Sequence, residues 1–175
     1  SHDLVDIVAL GHAVARACGA EDAARRLEAE LEGYGEQPVD VPEVRRATGF
    51  ASAFPVRALD LGLLDPEEIF SANNEKFSQV TLTIGQPVGE LEQALAQIRA
   101  GGVLALKVPA SEVTSRSADT ADDAEVYIYI LPREVQKIVE GARAAALDAL
   151  VGQIVAAAAD DSGAARSSGM ARSVS

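Results

Sequence analysis

With 175 residues, 48% of them hydrophobic, the chain is long enough to bury a core without metal or disulfide staples, and its single cysteine excludes an internal disulfide framework. Fifteen Lys and Arg stand against 27 Asp and Glu, a net charge of −12; a field of that sign repels phosphates, so no direct nucleic-acid partner is expected. Aromatics make up only 4% and Trp is absent, so the core must come from Ala, Leu, Val and Ile.

The first predicted helix covers residues 4–18, where Leu4, Ile7, Val8, Gly11, Val14, Ala15 and Cys18 recur at three- and four-residue steps. Gly19 is its natural stop. A second helix is predicted over 21–33, with Ala24, Leu27, Leu31 and Tyr34 along one side; so short a connection implies an antiparallel or steeply crossed pair. Pro38, Pro42, Pro55 and Pro66 then break the pattern. Asp65-Pro66 opens a short helix over 66–73, while 49–64 reads as either extended or irregular.

Three strand signals follow. Residues 78–84 alternate strictly, 103–108 form a short apolar run, and 124–131 (AEVYIYIL) are apolar on both faces. A helix over 88–99 separates the first two, and a polar stretch that reads as a mobile loop separates the last two. Pro132 opens the longest helix, with Val135, Ile138, Val139, Ala142, Ala146, Leu150 and Ile154 along one face. It is expected to end near 158, with a disordered tail over 159–175. The fold class is therefore α+β: an N-terminal antiparallel helix pair, a small sheet of about three strands with an intervening helix, and a long C-terminal helix, forming a single domain over 3–158. No basic, apolar leader opens the sequence and it contains no uninterrupted 18-residue apolar run, so a cytoplasmic protein with no membrane partner is expected.

Catalytic equipment is sparse. The opening Ser-His reads as a tag remnant, which leaves His12, a structural histidine at the edge of the first helix. Cys18 sits where the helix dipole disfavours a thiolate and reads as a small packing residue. The glycines of Gly85-Gln86-Pro87-Val88-Gly89 lack the spacing and the cation of a phosphate loop. No metal site and no cofactor are expected. A sheltered Glu30 would need a cation, and Arg45 or Arg46, brought back by the loop after Pro38, would supply it as a structural tie. The doubly apolar strand calls for cover on both faces or a partner on one. Together with the small residues of the last helix, it makes Tyr127, Tyr129, Leu131, Ala142 and Ala146 candidate interface residues.

Glu30-Leu31-Glu32-Gly33-Tyr34, a loop, and Val41-Pro42-Glu43-Val44-Arg45 resemble the motif of the AbiTii domain. An apolar segment ending at Val108-Pro109 and a closing helix containing Ala142-Arg143-Ala144-Ala145-Ala146-Leu147 follow in the matching order. Val44 replaces an aromatic, and the closing helix lacks an aromatic near Ala149. The resemblance spans most of residues 4–154 and marks Glu30, Gly33, Tyr34, Pro42 and Arg45. It implies a domain of bacterial anti-phage, abortive-infection systems. With the missing catalytic constellation, the expectation is a non-enzymatic interaction or self-assembly module whose partner is itself or another defence protein. The alternative is a toxic effector with a carboxylate-based hydrolytic site around Glu30 and Arg45.

Overall fold

The computed structural model describes residues 3–35, 40–52, 70, 77–98, 103–109 and 125–170. The expected helix at 66–73 (Phe70 apart), the loop at 110–124 and the turn at 36–39 lie outside them. Within the described residues the fold is α+β, as its periodicities require: four α-helices and a four-stranded antiparallel sheet. The chain gathers into two compact units, Ser1–Leu31 with Ala142–Ser175, and Glu32–Gly141.

The first unit is helical. Helix α1 (Asp3–Ala17) buries Leu4, Val8, Gly11 and Ala15, one stripe of a 3.6-residue period. It ends in a Schellman motif: Gly19 takes φ 71°, the Ala20 N–H donates to Ala15 O at 2.9 Å and the Gly19 N–H to Arg16 O at 3.2 Å. Cys18, expected to pack, is exposed, because the chain has already turned away there. Helix α2 (Glu21–Glu32) buries Ala24, Leu27 and Glu30. Helix α4 (Pro132–Met170) contributes its residues from Ala142 onward. Gly11 lets the helices approach closely: a Cβ there would lie 3.2 Å from Ala146 O and 3.2 Å from Leu27 Cδ1. The small side chains expected to allow tight packing on α4, Ala142 and Ala146, are accordingly fully buried.

The second unit is the sheet. Strands β1 (Arg46–Ser52), β2 (Ser78–Thr83), β3 (Leu104–Pro109) and β4 (Glu125–Ile130) lie in the order β2-β1-β4-β3, all antiparallel. β1 is the strand beyond the expected three. Its sequence, RATGFAS, is poor in β-formers, and a glycine mid-strand ordinarily weakens it. Here the glycine is required: a Cβ on Gly49 would meet Ile128 Cγ2 at 2.6 Å. Strand β4 carries buried side chains on both faces. Tyr129 joins Leu131, Phe70 and Phe77 in an aromatic cluster flanked by Phe50 and Tyr127, while Ile128 and Ile130 are buried on the alternate side. Helix α3 (Val88–Ile98) touches β3 and buries Val88, Leu91, Leu95 and Ile98.

Helix α4 does not stop at 158. It continues to Met170, where a disordered tail was expected; residues 171–175 lie outside the described set. Ser162 Oγ donating to Ala158 O at 2.9 Å belongs to that extra length. An 18-residue window within Pro132–Ala164 averages a hydropathy of 1.4, so by length and composition alone this helix is able to cross a membrane.

Candidate functional site

Four of the five motif residues converge on one turn. Gly33 ends α2 with φ 91°, a conformation glycine adopts without strain. A Cβ there would lie 2.9 Å from Gly85 O, so the backbones can meet only because the side chain is missing. The Tyr34 N–H then donates to Gly85 O at 2.9 Å. Pro42 caps a 3₁₀ turn (Glu43–Arg45), its carbonyl accepting from the Arg45 N–H at 2.9 Å. The turn aims Arg45 inward, where it is fully buried. Its Nη1 donates to Gln86 O at 2.7 Å and Ile84 O at 3.2 Å, and its guanidinium sits 4.9 Å above the Tyr34 ring. The Ile84 N–H donates back to Arg45 O at 2.9 Å. A planar guanidinium fits this geometry because it serves two carbonyls and an aromatic face at once.

The two arginines of the Arg-Arg pair therefore differ. Arg46 is exposed and approaches Glu43 at 3.5 Å, a surface pair of little energetic weight. Glu30, the fifth motif residue, is fully buried on α2 in the helical unit. Glu30 and Arg45 are both closed to solvent.

Beside the same turn lies a cleft of about 560 Å³, lined in part by Arg46, Thr81, Thr83, Gln86, Leu106 and Val108. These side chains offer hydroxyls, an amide and a cation for hydrogen bonding. Among the described residues, no three His, Cys, Asp or Glu side chains are placed to hold a metal ion.

A second polar constellation joins β1 to the start of α4. Glu134 accepts from the Thr48 N–H at 3.1 Å and from Lys137 Nζ at 2.9 Å, and Lys137 Nζ also reaches Arg46 O at 3.0 Å. Burial pushes the Glu134 carboxyl up, but the Lys137 hydrogen bond, the Thr48 N–H and the Lys137 and Arg133 charges outweigh it, and its pKa lies below the ordinary 4.5.

The residues expected to form an interface are mostly enclosed. Tyr129, Leu131, Ala142 and Ala146 are buried, and Tyr127 packs partly buried against the aromatic cluster. The exposed apolar surface lies elsewhere, on α4: Leu147 (45%), Val151 (58%), Ile154 (68%) and Val155 (63%) face solvent. Ile154, placed on the buried face by its period, is the most open of them. These four lie within about 100° of one another on an α-helix. The signal was present as an i, i+4, i+7, i+8 pattern, one step round from the Ala142–Ala146 line.

Compared with known proteins, the chain matches no family model, no curated protein and no solved structure. What fold and site define is a class: an α+β protein with a motif-locked turn and a long helix bearing an uncovered apolar stripe.

Proposed function

We propose that the chain is a non-enzymatic protein-interaction or self-assembly module, cytoplasmic, acting in bacterial anti-phage defence. The single observation that carries the interaction reading is the run Leu147, Val151, Ile154 and Val155, left exposed at helical spacing. A contiguous apolar surface costs solvation free energy unless a partner covers it. The motif residues Gly33, Tyr34, Pro42 and Arg45 support the reading from the other side, being engaged in holding a turn. The defence setting rests on the resemblance of those residues to the AbiTii motif.

The test is a phage-plating assay on cells expressing the protein. Wild type is expected to reduce plating, and Val151→Glu/Ile154→Glu to abolish the reduction while keeping the wild-type melting temperature. Full protection by the double variant sinks the interaction reading. No protection by wild type removes the defence setting.

A further inference from the structure

The apolar stripe of α4 has a charge at each end. Arg143 and Asp161 are both exposed and lie nine residues to either side of Gly152. Eighteen residues are five turns, so both fall on the same edge of the stripe, roughly 27 Å apart along the axis. Between them run Leu147, Leu150, Val151, Ile154 and Ala158. The helix is also uncovered over its second half: residues 154–164 are exposed on every side. A lone helix of that length is marginal in water without packing.

We propose that this face binds the same face of a second copy, with the two α4 helices antiparallel about a two-fold axis level with Gly152. The inference rests on reading the chain as an interaction module and names its partner. In the antiparallel arrangement Arg143 of each copy meets Asp161 of the other, and Ile154 lies beside Leu150 and Val151. A parallel arrangement sets Arg143 against Arg143 and Asp161 against Asp161. One surface is thus complementary to itself in one orientation only, as an isologous interface requires. Alanines at 144, 157 and 158, on or beside the stripe, let the helix axes approach closely.

A bilayer suits this helix less well. Helices that lie on membranes carry Lys and Arg on their polar face; here the side away from the stripe carries Gln153 and Asp160, and Asp148 flanks the stripe, on a chain of net charge −12. The same groups oppose burial in a hydrocarbon core.

Sedimentation equilibrium over roughly a hundredfold range of concentration tests the proposal. The interface is small, so a reversible monomer–dimer equilibrium is expected. Val151→Glu/Ile154→Glu should be monomeric throughout. Arg143→Glu and Asp161→Arg should each weaken the dimer by about tenfold, since each reversal acts at two symmetry-related pairs, and the double reversal should restore it. A wild-type monomer at every concentration overturns the proposal, as does a monomer that instead sediments with phosphatidylcholine or phosphatidylglycerol vesicles. Single reversals without effect, or a double reversal without rescue, overturn the antiparallel pairing. A wild-type dimer that survives Val151→Glu/Ile154→Glu overturns this interface yet leaves the module reading intact, which falls only if that variant keeps full biological activity.

Discussion

Arg45 carries a charge into the interior because the backbone there presents acceptors that nothing apolar could satisfy. The carbonyls of Ile84 and Gln86 converge on its guanidinium, and the Tyr34 ring lies beneath it. Arg45→Met fills similar volume but strands those carbonyls, and should cost about 2–4 kcal/mol in equilibrium denaturation. Arg45→Lys should recover only part: one ammonium can donate to both carbonyls, which share a single nitrogen here, but it cannot stack on the Tyr34 ring as a planar guanidinium does. A loss below about 0.5 kcal/mol for both, the size of a surface change, would show that the turn holds without the clamp. The sequence singled out Gly33, Tyr34, Pro42 and Arg45 only through their resemblance to a motif. Their common target was not legible, because the turn Ile84–Pro87 lies far along the chain, and its Gly-Gln-Pro signals a turn without indicating what packs against it.

At the scale of elements, β1 is tied to the first turn of α4 by Glu134, which accepts from the Thr48 N–H and Lys137. Its pKa is lower folded than unfolded, so the unfolded chain takes up this proton first. The stabilisation is fully present above the ordinary value of 4.5 and is lost as pH falls through the lowered folded value. Glu134→Gln should therefore melt below wild type at neutral pH, and the gap should close on acidification below that value. A gap independent of pH would mean that the carboxylate charge contributes nothing. β1 itself shows why elements are harder to read than helix stops. Its alanines and glycine have weak strand preference, and it forms because β2 and β4 flank it and Ile128 occupies the space above Gly49.

At the scale of the whole molecule, the helical unit is assembled from both ends of the chain. Gly11 on α1 and Leu27 on α2 meet at Ala146 on α4, so α1 and α2 lack a complete core by themselves. A chain ending at Gly141 should lose more helical circular dichroism than the removed residues account for, and should be cut by protease within residues 3–31. Protection of that segment in the shortened chain would show that the pair folds without α4. The exposed stripe belongs to this scale too, since only packing reveals which sides of α4 are covered.

Helices α1 to α3, the glycine stops of α1 and α2 and the α+β class follow from local chemistry, because periodicity and terminal residues act within a few positions. The route of β1, the inward turn of Arg45, and the outward face of Ile154 depend on neighbours distant in sequence. For α4 the reason is composition: so many of its residues are alanine that several faces are apolar enough to bury, and only tertiary packing, as of Ala146 on Gly11, puts Ala142 and Ala146 inside and leaves Leu147, Val151, Ile154 and Val155 in water.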